Sequence, residues 1–469
     1  MLPDDVLLEI FDSCSLDVDQ WLYAHAWQTL VHVCRQWRCV VFGSPHRLNL
    51  QLVCSTETPA KDTLNIWPPL PLLIHADESE TSGVGNIVAA LERSDRVCEI
   101  SISTSRSQSE ELWKAMQEPF PKLTYLDVAS NDEHEPVLPT LPDSFLGGSA
   151  PSLRSLILEY VPFPGIPKLL LSAPNLAELS LSTIPPSGYI SPEAMVTGFS
   201  ALTRLERLFL DFESPLPRPD RQTRRLPPPT RCVLLALARF KFKGASEYLD
   251  DLVAHIDLPR LNAFSIIFFE QRHLDTPHLV QFIRRTPYSK AFGKAHITIY
   301  IGDAVMVNLS SQTFGHGELN LALLSTVPEW HISSLTQACT SSLPALPALE
   351  DLYLHGDRLG LTSVDLQHFI GNHQWLGLLR PFVYVKNLYV SEEFVPSIVS
   401  ALQELIGDRT TEVLPILQNI FLEEPQPSGP VQEGIGQFVS ARQLIGHPIT
   451  VSFRDIIPKQ DRYPELFTL

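Results

Sequence analysis

The sequence predicts an α/β protein in which a short N-terminal helical module precedes a long solenoid of stacked strand–turn–helix units. Three observations support this fold class. An apolar-x-x-apolar-x-apolar motif returns from about residue 95 onwards, helical stretches lie between its copies, and the first fifty residues have helical spacing instead. The 40 prolines in 469 residues also favour many short elements over a bundle of long helices. We therefore expect strands on one face of the solenoid and helices on the other.

Residues 1–50 form the predicted helical module. Pro3 suits the first turn of a helix, and acids follow it where the helix dipole favours negative charge. One apolar stripe comprises Val6, Leu7, Ile10, Phe11 and Cys14, and apolar residues from Trp27 to Val41 predict a second single helix. Helices this short bury little surface alone, so we expect the module to pack on a neighbouring element.

Residues 51–94 are predicted to be a proline-rich spacer followed by the start of the repeat domain. The prolines between Thr58 and Pro71 argue against a regular helix in that stretch. We place the domain boundary between about residues 50 and 72.

Residues 95–430 carry the repeated motif. Its copies begin at Val97, Leu123, Leu153, Leu176, Leu205, Leu237, Leu261, Phe292, Leu349, Val385 and Leu417. The first seven copies start 23 to 32 residues apart, which brackets the 20–29 residues of leucine-rich repeats and runs slightly long. Alternate residues of a short strand point into the core, and each unit covers its apolar edge only by stacking on the next. The pattern therefore predicts an irregular leucine-rich-repeat solenoid.

Helix signals separate the motif copies. Ser191-Pro192 and Thr276-Pro277 are typical helix starts, and an apolar stripe runs from Tyr248 to Ile256. Residues 431–469 change pattern again. A helix that stops near Gly446 and an alternating last strand predict a C-terminal cap, which an open array needs.

Charge and composition exclude some functional classes. The 35 basic and 53 acidic side chains give a net charge of −18, which makes a nucleic-acid partner unlikely because phosphate contacts need a basic face. The acidic N-terminus is unlike a secretory signal, no apolar run is long enough to cross a membrane, and seven scattered cysteines are typical of a reducing compartment. We expect an intracellular protein, cytoplasmic or nuclear, without a membrane partner.

Motifs that would indicate catalysis are missing from the sequence. It contains no GxGxxG, P-loop, HExxH or GxSxG pattern, and its fifteen histidines are dispersed. The acidic run from Asp132 to Glu135 fits a solvated loop better than a metal site, and His355 is expected in a turn. We therefore expect no enzyme activity, metal or cofactor. A hydrolase assembled across the repeats is the least favoured alternative.

A basic, proline-rich segment interrupts the acidic chain between residues 214 and 231. Its arginines are Arg218, Arg221, Arg224, Arg225 and Arg231. One interpretation is a partner-binding segment, with polyproline geometry for an aromatic groove and arginines for acidic or phosphorylated groups. The other, which we favour, is a solvated insertion between repeats.

The N-terminal module closely resembles the F-box. The residues that match the family pattern are Leu2, Pro3, Leu7, Ile10, Phe11, Val33, Cys34 and Trp37. Over nearly its whole length the chain is similar to the large F-box family of mushroom-forming fungi, through stretches at residues 62–68, 242–249 and 434–448.

The resemblance implies a partner and a function. An F-box protein binds the small adaptor subunit of an SCF-type ubiquitin ligase and, through it, the cullin. The eight matching residues would then contact the adaptor or form the core of the box. The chain would be a non-catalytic substrate receptor whose repeats hold an unknown target protein close to the ligase. The alternative is a leucine-rich-repeat scaffold that recruits no ligase, in which the same residues form a helical lid.

Overall fold

The computed structural model describes residues 2–13, 26–45, 47–57, 59–76, 83–130, 139–214, 231–269, 276–286, 292–300, 304–311, 317–324, 332–333, 335–337, 339–340, 343, 346–356, 370–423 and 429–453. The chain forms two compact units. The first comprises residues 1–213 with 234–236, and the second comprises residues 214–233 with 237–469. Both are mixed α/β structures, as the sequence predicts, and their strands are mostly parallel.

The first unit begins with helices α1 (Asp4–Ser13), α2 (Ala26–Val33) and α3 (Arg35–Gly43). The prediction of one helix from Trp27 to Val41 was wrong. Cys34 has an extended backbone, with φ −158° and ψ 170°, and its Sγ accepts a hydrogen bond from the Trp37 backbone N–H over 3.5 Å. The chain therefore ends one helix at Val33 and caps the next.

The predicted spacer already contains regular structure. Strands β1 (Leu52–Cys54) and β2 (Leu72–Ala76) pair in parallel, and helix α4 (Ala60–Ile66) lies between them. The prediction that the prolines exclude a helix here was wrong, because they flank it. Pro59 precedes the first turn and Pro68 follows the last one, two places where a missing backbone N–H costs little.

The remaining strands of the first unit follow one another in chain order, all parallel. They are β3 (Val97–Thr104), β4 (Tyr125–Ser130), β5 (Ser155–Glu159), β6 (Glu178–Ile184) and β7 (Arg207–Phe212). Helix α5 (Val84–Leu91) precedes β3, and the helices between these strands are α6 (Arg106–Ala115), α7 (Ile166–Leu170) and α8 (Pro192–Phe199). Motif leucines meet in register across these strands, as Leu126, Leu156, Leu179 and Leu208 do, and all four are buried.

Helices of the second unit alternate with most of its strands. Its elements are β8 (Cys232–Val233), β9 (Arg239–Gly244), α9 (Ser246–Ala254), β10 (Ile256–Asp257), β11 (Ala263–Phe268), α10 (Pro277–Arg285), β12 (Phe292–Tyr300), β13 (Ala304–Ser311), β14 (Glu318–Leu324), β15 (Asp351–Gly356), α11 (Asn372–Leu379), β16 (Asn387–Val390), α12 (Val395–Gln403), β17 (Asn419–Leu422), α13 (Pro430–Leu444) and β18 (Thr450–Phe453). The helix and strand predicted after residue 430 are α13 and β18.

The order of strands in the second unit departs from simple stacking. The strands run β9, β11, β14, β13, β12, β15, β16, β17, β18, and β13 pairs antiparallel with both of its neighbours. The sequence predicted one motif strand in this region, at Phe292. The two additional strands did carry a signal, since Val305, Val307 and Leu309 alternate along β13 and are all buried.

Among the described residues, no helix is both long and apolar enough to cross a membrane.

Candidate functional site

The N-terminal module has a packed inner face. Leu7 and Phe11 of α1 are each only 2 % exposed, and the Phe11 ring meets the Trp37 ring of α3 edge-on, with centroids 4.9 Å apart. These three residues of the predicted set therefore build the interior of the module. Each of them stabilises the module by burying apolar surface, and Phe11 and Trp37 stabilise it further through their aromatic contact.

Most other members of the predicted set face outward. Leu2, Ile10 and Val33 are 52 %, 43 % and 60 % exposed, and Pro3 and Cys34 are exposed as well. Val6, expected in the buried stripe, is 42 % exposed instead. On α1, residues 6 and 10 lie one turn apart on the same face, which differs from the face that buries Leu7 and Phe11. We call Leu2, Val6, Ile10 and Val33 the outer patch.

Gln36 connects the two parts of the outer patch. Its Nε2 donates to the Leu2 carbonyl oxygen over 3.2 Å and to Asp4 Oδ1 over 2.9 Å. These bonds hold the start of α1 against the start of α3, directly after Val33 and Cys34. Sequence reasoning missed Gln36, because a polar residue between two motif positions contributes nothing to an apolar pattern.

The module is attached to the rest of the first unit by an aromatic cluster. Trp67 follows α4, and the centroid of its ring lies 5.2 Å from that of Trp27, 6.1 Å from that of Phe42 and 5.9 Å from that of His32. Trp27 Nε1 donates to the Gln51 carbonyl oxygen over 2.8 Å. The expectation that this small module packs on a neighbour is confirmed.

The basic segment is only partly described. Arg218, Arg221, Arg224 and Arg225 lie outside the described residues. Arg231 is described, and its Nε donates to the Ala254 carbonyl oxygen at the end of α9 over 3.1 Å.

Two histidines of the second unit share a strand pair, and sequence reasoning did not connect them. His355 lies in β15, so its expected turn position was wrong, and its Nε2 is 3.2 Å from His296 Nδ1 of β12. Burial lowers the pKa of His296 to about 4 and that of His355 to about 3, with further lowering by Lys294 and by His296 respectively. Both rings are therefore neutral at physiological pH.

Aromatic rings continue from His296 across three more strands. The rings of His296, Tyr353, Tyr389 and Phe421 stack in matched positions of β12, β15, β16 and β17, with successive centroids 4.3, 4.1 and 4.6 Å apart. In the described part of the chain, no group of three or more histidines, cysteines and acids is placed to bind a metal ion.

Acidic and aromatic residues occupy matched positions on one face of the strands in the first unit. The Tyr125 hydroxyl donates to Asp127 Oδ2 over 3.4 Å, and Ser155 Oγ donates to Glu178 Oε2 over 3.2 Å on the neighbouring strands. Burial raises the pKa of the Glu99 and Asp127 carboxyls, and burial together with the Asp127 charge raises the pKa of Tyr125 to about 12. These residues lie between motif positions, so the apolar pattern did not identify them.

Comparison with models of known protein families found no match to this chain, and a search of curated proteins found none either.

Proposed function

We propose that this chain is a non-catalytic substrate receptor of an SCF-type ubiquitin ligase. In this proposal the outer patch binds the adaptor subunit, and the strands and helices after residue 51 form an irregular leucine-rich-repeat solenoid that binds a target protein. Transfer of ubiquitin belongs to other subunits of the ligase. The contribution of this chain is to raise the local concentration of its target.

The outer patch is the observation that carries the proposal. Within the described part of the N-terminal module, four large apolar side chains remain exposed, although Leu7 and Phe11 already supply its interior. Exposed apolar side chains can drive an interaction, because burying them against a partner releases about 25 cal/mol per Å². The F-box resemblance of the same residues supplies the partner.

The solenoid part of the proposal is supported by the register of the motif residues. Buried leucines of consecutive motif copies occupy matched positions of parallel strands, and neighbouring helices pack on one another within each unit. Such nearest-neighbour stacking is typical of repeat proteins. Strands β13 and β14 would be an insertion into the array, with β13 antiparallel to both of its neighbours and β14 parallel to β11.

A binding experiment with purified adaptor tests the proposal. We expect Val33→Glu and Ile10→Glu each to weaken adaptor binding more than tenfold, because each places a charge inside an apolar interface. Both side chains are exposed, so the melting temperature should hardly change. Leu171→Glu is the matched control, since Leu171 is a 49 % exposed leucine elsewhere in the same unit.

The result also separates the proposal from its alternative. Adaptor binding that is unaffected by both outer-patch substitutions would show that the outer patch is not the docking surface. A wild-type chain that binds no adaptor and brings down no cullin from cells would favour a scaffold that recruits no ligase.

A further inference from the structure

A compact charged site lies in the second unit, where two arginines approach one aspartate from different elements. Arg285 Nη2 is 3.5 Å from Asp257 Oδ1, and Arg231 Nη1 is 3.9 Å from Asp257 Oδ2. All three side chains are between 34 % and 39 % exposed, so the site opens to solvent without being fully hydrated. It is separate from the N-terminal module.

Regular structure holds each member of the site in place. Asp257 belongs to β10, which pairs in parallel with β8, and Arg231 directly precedes β8. The bond from Arg231 Nε to the Ala254 carbonyl oxygen fixes the plane of that guanidinium. Arg285 is the last residue of α10. The two guanidiniums are thus preorganised rather than carried on long loops.

The charges of the site do not balance. Counting the described residues alone, two guanidiniums share one carboxylate, which leaves one positive charge in a partly desolvated position. Burial lowers the pKa of Arg285, and the nearby charge of Arg231 lowers it further, while Asp257 raises it. An additional anion would relieve the repulsion between the two guanidiniums.

The donors of the site are also incompletely used. A guanidinium has five N–H donors in a fixed planar fork. Within the part of the chain that the structure describes, Arg231 makes one hydrogen bond, to Ala254, and Arg285 makes none. Both Asp257 contacts are longer than the 2.7–2.9 Å of a good charge-assisted hydrogen bond. The described residues therefore leave several N–H groups of both arginines unused, as a bound ligand would require.

We propose that Arg231 and Arg285 together bind a phosphoryl group. A phosphomonoester carries about −1.5 to −2 charge at pH 7 and three acceptor oxygens, so it can bond both forks and neutralise the excess charge. This inference is independent of the adaptor-docking proposal, because the two sites share no residue. The group can belong to a phosphorylated side chain of another protein or to a small phosphate compound.

Titration calorimetry of the full-length chain at low salt tests the proposal, with inorganic phosphate and a phosphoserine peptide as separate probes. We expect Arg285→Gln to weaken the binding of phosphate about tenfold or more, because it removes charge-assisted hydrogen bonds. Arg285→Lys should give an intermediate loss, since it keeps the charge and loses the fork. Arg231→Gln should act in the same direction.

A second trio in the same unit provides the matched control. Arg380 and Arg409 share Glu412, with Arg409 Nε 2.6 Å from Glu412 Oε2, but these two arginines are more exposed, at 61 % and 54 %. Arg380→Gln should leave phosphate binding unchanged. An equal loss for Arg380→Gln and Arg285→Gln would overturn the proposal, since phosphate would then be responding only to overall charge.

Two further outcomes are decisive. Unchanged phosphate affinity in a folded Arg285→Gln variant, with the melting temperature of the wild type, would also overturn the proposal. If the phosphoserine peptide binds more than tenfold tighter than inorganic phosphate, the site serves a phosphorylated protein. Equal affinities would instead identify a site for small phosphates.

Discussion

Arg442 of α13 is a fully buried cation. Its Nη1 donates to the carbonyl oxygen of Thr410, and its Nη2 lies within 3.3 Å of the carbonyl oxygens of Leu414, Pro415 and Leu417. Among the described residues no carboxylate pairs with it, and burial lowers the pKa of the guanidinium. Backbone dipoles replace the water that this charge has lost.

Truncating Arg442 should destabilise the second unit strongly. Arg442→Ala leaves these carbonyl groups without their donor and opens a cavity, so we expect a loss of about 3 kcal/mol or more in the free energy of unfolding. Arg409→Ala, at an exposed position, should leave the free energy of unfolding nearly unchanged. Urea unfolding of the two variants checks this, and similar midpoints would contradict it.

The His296–His355 pair should make stability depend on pH. Both folded-state pKa values, about 4 and about 3, lie below the unfolded value of about 6.5, so unfolding takes up protons between these limits. Stability is therefore fully present above pH 6.5 and falls as the pH is lowered towards 4, by about 1.4 kcal/mol per pH unit for each histidine.

Removing one histidine should reduce that dependence. We expect His355→Asn to flatten the fall in melting temperature between pH 6.5 and 4.5 relative to the wild type. Leu171→Asn gives the control, because Leu171 is exposed and carries no titrating group, so the slope should stay unchanged. Identical slopes for wild type and His355→Asn would show that the imidazoles titrate normally.

At the scale of elements, helices α12 and α13 approach each other closely at Gly434. A Cβ at this position would lie 2.8 Å from Val399 Cγ1 and 2.7 Å from Gln403. Gln403 can swing aside, but a valine in a helix has one strongly preferred rotamer, so Val399 determines the cost.

Alanine substitutions at two glycines of α13 should therefore change the stability in opposite directions. Gly434→Ala should lower the free energy of unfolding by about 1–3 kcal/mol through overpacking. Gly436→Ala, two residues further on, has nothing within 4 Å of the new methyl group and should raise it by about 1 kcal/mol through helix propensity. Thermal unfolding of both variants checks the signs, and a stabilising Gly434→Ala would show that the helices can separate easily.

Strand β5 allows a test of which side chains point inward. Leu156 is fully buried and Arg154 is exposed. Leu156→Asp should cost more than about 4 kcal/mol, because it buries an unpaired carboxylate, whereas Arg154→Asp should stay within about 0.5 kcal/mol. Comparable losses of melting temperature would reject this register.

The sequence was most informative for elements whose own residues determine them. Ser191 caps α8 by accepting from the Ala194 N–H over 3.3 Å, as its position before Pro192 predicted. Cys34 shows where such reasoning failed. Apolar spacing continues through this residue, and the extended backbone of Cys34 breaks the helix there.

At the scale of the whole molecule, the α/β class followed from periodicity. The order of strands in the second unit did not, because pairing partners depend on contacts far apart in sequence. For the candidate site, too, the sequence identified the residues but did not show which of them are buried. Motif matching selected both Leu7 and Val33, but only the packing of α1 on α3 decides that one is interior and the other exposed.

The antiparallel insertion has a consequence for how the second unit folds. Ser265 of β11 pairs with Asn320 of β14, fifty-five positions later, whereas Leu126 and Leu156 of the first unit are thirty apart. Contacts between residues far apart in sequence form slowly. The pairing of β11 with β14 would form faster if β12, β13 and β14 first assembled as a local antiparallel meander, because the meander brings β14 close to β11. The meander would then be the kinetic nucleus of this unit.

We expect Val307→Ala in β13 to slow refolding in stopped-flow experiments, and Ile420→Ala in β17 mainly to speed unfolding. An unchanged refolding rate of the Val307→Ala variant would show that the meander is not formed in the rate-limiting step.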